Sequence, residues 1–124
     1  MLRRVVKLLV VGSILLLAGC RMGPVLNVVD SPVANARSMQ QVEQAITDAG
    51  RSLGWIMSAQ GPGRMTGTLA LRDHRAVVDI AYNSKTYSIR YKDSANLHYD
   101  GSSIHSNYNG WIENFDRAIR VRLS

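Results

Sequence analysis

Three polar residues in the last third of the chain, His98, Asp100 and His105, have the types and spacing to bind a metal or move protons. Two neutral imidazoles and one carboxylate can hold Zn²⁺ while leaving a coordination position open for a water molecule. The spacing is generic, however, and no further strong ligand lies nearby in the sequence. These residues leave a small metal-dependent or hydrolytic enzyme as an alternative, whereas our main expectation is no catalytic set, no metal and no cofactor.

The single cysteine, Cys20, stands in a more specific pattern. It closes the sequence Leu17-Ala18-Gly19-Cys20, which follows a basic segment with Arg3, Arg4 and Lys7 and a mainly apolar run over residues 8–18. A basic start, a short apolar run and small residues are typical of a secretory signal peptide. The run is shorter than the roughly 20 residues that a membrane-spanning helix needs. Leu-Ala-Gly-Cys resembles the lipobox of bacterial lipoproteins, which implies cleavage after residue 19 and a diacylglycerol on Cys20.

Removal of residues 1–19 changes the charge of the chain and the partners that it favours. Three basic residues are lost, so that twelve basic and nine acidic residues remain and the net charge falls from +6 to +3. The high isoelectric point therefore does not indicate nucleic-acid binding, and we expect no nucleic-acid partner because the protein is exported. The remaining 105 residues suffice for one domain.

The hydrophobic pattern predicts a lipidated N-terminus and tether over residues 20–37, followed by an α+β domain over residues 38–124. A capping box at Ser38 and Gln41 begins a short helix, which Gly50 is expected to end. Alternating apolar residues then predict four strands, at 53–60, 64–72, 75–82 and 86–92. An apolar stripe predicts a final helix over residues 106–121. The expected fold is a two-layer, four-stranded antiparallel meander with a short N-terminal and a longer C-terminal helix on one face. His74 falls in a predicted turn, where we expect it to be exposed.

The start of the last helix has an unusual composition. Residues 103–112 include serine, asparagine, tyrosine and glycine, which are mediocre or poor helix formers. We expect His105 and Asn109 to fasten the preceding loop, residues 96–103, to the helix. The alternative is a recognition patch of His105, Tyr108 and Asn109 on the surface.

Two segments carry a resemblance to a protein class. The first is Tyr87-x-Ile-x-Tyr91 followed by Asn96-Leu97, and the second is Ile104-His-x-x-Tyr-Asn-x-Trp-Ile112. Together with the lipobox they resemble small bacterial lipoproteins of unassigned function that have one compact α+β domain. The resemblance implies the architecture and brings no reaction with it.

These features predict a non-enzymatic envelope lipoprotein, anchored through lipid on Cys20. Arg21, the residue after the cysteine, favours the outer membrane and its periplasmic face by resemblance to sorted lipoproteins, with the inner membrane as the alternative. The expected partner is an envelope protein or an anionic envelope polymer. The predicted wet face of the sheet carries Arg75, Arg90 and Lys92, which either meet such a polymer or keep the domain in solution.

Overall fold

The computed structural model describes residues 21–124, which form seven strands and two helices. Residues 1–20, and with them the predicted signal peptide and Cys20, lie outside the described residues. Within the described part of the chain, no helix is long and apolar enough to cross a membrane. In chain order the elements are β1 (Met22–Pro24), β2 (Val28–Pro32), α1 (Met39–Ser52), β3 (Ile56–Gly61), β4 (Arg64–Leu71), β5 (His74–Tyr82), β6 (Thr86–Ala95), β7 (Ser103–His105) and α2 (Ser106–Leu123).

The strands form a five-stranded antiparallel sheet in the order β2-β6-β5-β4-β3 and a separate β1-β7 ribbon. The α+β class and the antiparallel meander of β3 to β6 are confirmed. The expected count of four strands is wrong, because β2 adds a fifth strand to the sheet and β1 pairs with β7.

Residues 22–32 thus belong to the folded domain, although the sequence predicts a tether there. Val25, Leu26 and Val28 pack against the core, which accounts for the ordering of this segment. Its two prolines do not prevent pairing. Pro24 and Pro32 end strands that lie at the margins of their sheets, where a missing N–H costs no ladder hydrogen bond.

Helix α1 begins as predicted, with the reciprocal hydrogen bonds between Ser38 and Gln41. It continues one turn beyond the predicted end, because the left-handed backbone needed to stop it comes at Gly54 (φ 89°). Gly50 lies inside the helix, where its missing side chain admits Met57 and Phe115. A Cβ there would stand 2.5 Å from Met57 Sδ and 3.2 Å from the Phe115 ring.

Both helices contribute their apolar stripes to one core. Phe115 is fully buried and packs on Trp55, with ring centroids 5.3 Å apart. Trp111, in contrast, is only partly buried, because it lies at the margin of the stripe beside His74. The opposite face of the sheet carries the polar residues of the alternating pattern.

Antiparallel pairing gathers the connections at two ends of the domain. We call one the His74 end: it holds the β4–β5 turn, the loop 96–102, the β1-β7 ribbon and the start of α2. We call the other the Lys85 end: it holds the β3–β4 and β5–β6 turns, the start of α1 and the end of α2. At the Lys85 end, Tyr82 N donates to Gly63 O (2.9 Å), and Arg37 Nη2 donates to Leu123 O (3.3 Å).

Candidate functional site

His105 joins β7 to α2 and caps the helix. Its Nδ1 accepts a hydrogen bond from the Asn107 N–H (3.1 Å), which satisfies one of the free donors of the first turn. This fixes the tautomer, because the capping nitrogen must be unprotonated to accept. The His105 backbone N–H donates to Leu97 O (2.9 Å), so the contact with the loop is made by the main chain, while the side chain caps the helix.

Asp100 organises the turn that precedes β7. Its Oδ1 accepts from the N–H groups of Ser103 (2.7 Å) and Ser102 (3.0 Å). These hydrogen bonds hold the pKa of the carboxyl below its usual range, because they favour the charged form. The carboxylate therefore serves its own loop.

His98 is exposed and has a positive φ of 55°. Among residues 21–124, no three histidine, cysteine, aspartate or glutamate side chains are placed to hold a metal ion together. His98, Asp100 and His105 therefore do not converge on one metal ion, although they are close in sequence.

His74 occupies a different environment from the exposed turn that the sequence predicts. It begins β5, is partly buried, and lies beside His105 and Trp111 with ring centroids 6.4 Å and 6.3 Å away. Its Nδ1 donates to the carbonyl of Asn96 (2.9 Å), which requires the proton on that nitrogen. No local sequence signal indicates this cluster, since its members come from β5, β7 and α2, which meet only through the tertiary fold.

Tyr108 does not lie on the surface, where the predicted recognition patch would need it. It is fully buried, and its hydroxyl has no hydrogen-bond partner within the part of the chain that the structure describes. Burial raises the pKa of Tyr108, and the neighbouring Tyr91 and Tyr99 raise it further. The Tyr91 ring meets it edge-on at 5.6 Å and stacks on Tyr99 at 4.0 Å. Tyr108 is a core residue beneath an aromatic pair.

Asn109 holds the N-terminal segment of the domain, whereas the sequence predicts that it holds the loop 96–103. Its Oδ1 accepts from the Leu26 N–H (2.9 Å), and its Nδ2 donates to Pro24 O (2.8 Å). Both bonds span more than 80 residues of chain. Asn109 is therefore a clamp between α2 and the segment that follows β1.

The open face of the sheet is basic. Arg64, Arg90 and Lys92 line a surface depression of about 510 Å³, together with Gln60, Thr66, Asp79 and Ser88. Lys92 Nζ lies 3.5 Å from Asp79 Oδ1, and on the same face Arg75 Nη1 lies 3.5 Å from Asp93 Oδ2. Within the described residues, neither Arg64 nor Arg90 has a carboxylate within 4.0 Å. The sequence pattern had indicated Arg75, Arg90 and Lys92. Arg64 could have been added, because it precedes the polar series Thr66-Thr68 at spacing two.

One edge of the sheet is also open. Strand β3 ends the strand order, and its residues Ile56 to Gly61 include no charged side chain. Ile56 is 71% exposed. An uncharged edge of this kind presents unpaired N–H and C=O groups to an incoming strand.

The surface thus offers a basic sheet face and an open edge, while Asp100 and His105 serve local structure and His98 is exposed. Comparison of the chain with protein-family models, curated proteins and solved structures finds no match.

Proposed function

We propose that this protein is an envelope lipoprotein, anchored through Cys20 at the periplasmic face of the outer membrane, whose domain binds an anionic envelope polymer without catalysing a reaction. The lipid anchor follows from the sequence around Cys20. The choice of partner follows from the open face of the sheet.

The observation that carries the proposal is a pair of arginines that have no carboxylate within 4.0 Å among residues 21–124. Arg64 and Arg90 lie in the same surface depression, and Lys92 stands beside them with its charge shared with Asp79. Guanidinium groups bind phosphate oxygens in a bidentate manner, so two free arginines on one face fit successive phosphates better than isolated lysines would. A phosphorylated envelope polysaccharide carries such phosphate groups along its chain.

The contacts of Asp100 and His105 favour this proposal over a metal-dependent or hydrolytic enzyme that would use them with His98. Asp100 accepts two backbone hydrogen bonds, and the unprotonated nitrogen of His105 is occupied in capping α2. A catalytic role would require both groups to leave these partners.

A second candidate partner is an envelope protein that adds a strand along β3. The exposed, uncharged edge from Ile56 to Gly61 favours it. Main-chain hydrogen bonds would supply affinity in that mode, and the neighbouring side chains would supply specificity.

The test uses the full acylated protein in a nonionic detergent and the phosphorylated core oligosaccharide of lipopolysaccharide, freed of its acyl chains. We expect R64Q/R90Q to weaken binding severalfold, because both unpaired cations are lost. The control is R117Q/R122Q, which removes two exposed arginines from α2 and should leave affinity unchanged. A dephosphorylated oligosaccharide should bind poorly to every variant.

Three results would overturn the choice of partner: no binding by the wild type, equal loss in both double variants, or equal binding of the dephosphorylated sugar. An Ile56→Lys variant that loses a crosslinked protein partner would favour the β3 edge instead. Bound Zn²⁺ that is lost in H98A/H105A would favour the enzyme. Intact mass of membrane-extracted protein tests the anchor separately, through loss of residues 1–19 and gain of acyl mass.

A further inference from the structure

We infer that the His74 end of the domain rests directly on a lipid surface, so that the sheet stands away from the membrane in a fixed orientation. This inference rests on the proposed lipid on Cys20. It goes beyond that proposal because an anchor alone would permit any distance and any orientation.

The first argument is the lack of a spacer between the lipid and the fold. Arg21 is the residue next to Cys20, and its carbonyl accepts a hydrogen bond from the Ser106 N–H (2.8 Å) at the start of α2. Met22 is already paired with His105 in the β1-β7 ribbon. Because consecutive Cα atoms lie about 3.8 Å apart, acyl chains on Cys20 would attach within one residue of the folded domain.

The second argument is that the start of the fold is held firmly. The Val25 N–H donates to Ser102 O (2.9 Å), and Asn109 holds Pro24 and Leu26 through its two hydrogen bonds. Release of β1 as a spacer would break these contacts together with the pairing to β7. The anchor therefore fixes the position of the domain as well as its attachment.

The third argument is the exposed surface of the His74 end. Among residues 21–124, three of the eight large exposed apolar side chains belong to the elements of this end: Met22, Leu71 and Tyr99. Exposed Arg21 and Arg72 at this end are balanced by exposed Asp73 and Asp100, so the apolar side chains alone favour contact with lipid. Apolar groups and tyrosine at the headgroup level are what a membrane interface favours.

The orientation has a consequence for the basic sheet face. Strand β5 begins at His74 and has nine residues, so the Lys85 end stands about 26 Å farther from the membrane. Arg64 lies opposite Ala81 and Arg90 opposite Asp79, seven and five residues along β5 from His74, so with β5 upright they stand about 23 Å and about 17 Å above the lipid surface. The inference thus places the anionic groups of the partner at this height above the membrane.

The experiment measures the depth of two labelled sites in the acylated full-length protein, reconstituted in vesicles of phosphatidylethanolamine and phosphatidylglycerol. Acylation consumes the Cys20 thiol, so an introduced cysteine takes a fluorophore selectively. Asn107→Cys places the label at the His74 end, and Ser84→Cys places it at the Lys85 end. Both positions are exposed. We expect a headgroup-attached quencher to quench the Asn107→Cys label severalfold more strongly.

Two further variants test the surface and the spacing. Leu71→Gln should reduce the difference between the labels, whereas Val121→Gln, at an even more exposed apolar position on α2, should not. A flexible glycine-serine insertion between Cys20 and Arg21 should abolish the difference while the protein stays on the vesicles.

Acyl mass and flotation with the vesicles test the lipid anchor, whereas the quenching of the two labels tests the orientation. Protein that carries the acyl mass and floats with the vesicles, but shows equal quenching at both sites or stronger quenching at Ser84→Cys, overturns the orientation and leaves the anchor intact. Protein that lacks the acyl mass and does not float overturns both.

Discussion

Replacement of Asn109 by alanine tests the clamp that joins α2 to the N-terminal segment. The change removes one accepted and one donated hydrogen bond, at 2.9 Å to Leu26 N and 2.8 Å to Pro24 O. Each contributes about 0.5–1.5 kcal/mol to stability, and a buried group left without a partner costs about 1–3 kcal/mol. The Leu26 contact is partly buried, while the Pro24 contact is exposed and can be replaced by water. We therefore expect a loss of about 2 kcal/mol in the free energy of unfolding.

The assay is thermal and urea unfolding of the detergent-solubilised protein. For a domain of this size a loss of 2 kcal/mol lowers Tm by roughly 10 °C. Asn107→Ala is the matched control, because Asn107 is an exposed asparagine on the same helical turn, and its backbone N–H, which alanine retains, makes the cap with His105. Its Tm should stay within about 2 °C of the wild type.

A second measurement shows where the stability is lost. Hydrogen exchange should increase at the amides of Leu26 and of β1 in Asn109→Ala, while the β5 and β6 amides stay protected until global unfolding. Equal Tm values for Asn109→Ala and Asn107→Ala would refute the clamp. Loss of protection across the whole sheet, with none specific to β1, would show that Asn109 acts on the core instead.

Three further predictions follow from the buried aromatic residues. Phe115→Ala should cost about 3–5 kcal/mol and leave most of the protein unfolded, whereas Trp111→Ala, at a partly buried position, should cost clearly less in the same urea titration. Tyr108→Phe should not reduce Tm, because the hydroxyl that it removes has no partner, while Tyr87→Phe should reduce it by breaking the 2.6 Å hydrogen bond to Asp116. Burial raises the pKa of Tyr87 and of Tyr108 above the ordinary value of 10.0, so the folded state favours the neutral phenols and stability should fall as the pH rises above about 10. Absorbance titration should show both ionising together with unfolding, and ionisation of all tyrosines in the folded protein would contradict this.

The local elements were predictable because their signals are local. Ser38 and Gln41 fix the start of α1 through a capping box that spans three residues. The alternation of Tyr87 and Ile89 with polar neighbours gives the buried face of β6. The predicted end of α1 is wrong because Gly50 is required for packing against Met57, not for ending the helix. A glycine that ends a helix and one that packs inside it look the same in the sequence.

The N-terminal strands and the surroundings of the candidate residues were not predictable in the same way. Asn109 finds Pro24 and Leu26 across more than 80 residues, and no periodicity encodes such a pair. His98 and Asp100 are neighbours in sequence, but the positive φ of His98 and the turn around Asp100 give each its own direction. The cluster of His74 with His105 depends on how the β1-β7 ribbon packs beside the five-stranded sheet, because β5 and β7 are not paired with each other.

The clamp at Asn109 would transmit force from the proposed lipid anchor to helix α2. Any force on a lipid at Cys20 would pass through Arg21 to the ribbon of β1 and β7, and from there to the first turn of α2. That turn is held by the His105 cap and by Asn109, and its next residues, Trp111 and Phe115, pack on the sheet and the core. Among the poor helix formers in this turn, Asn109 is therefore explained by what its side chain binds. A stronger helix former at position 109 would improve the local propensity of α2 and disconnect the helix from the segment that joins the domain to its proposed anchor.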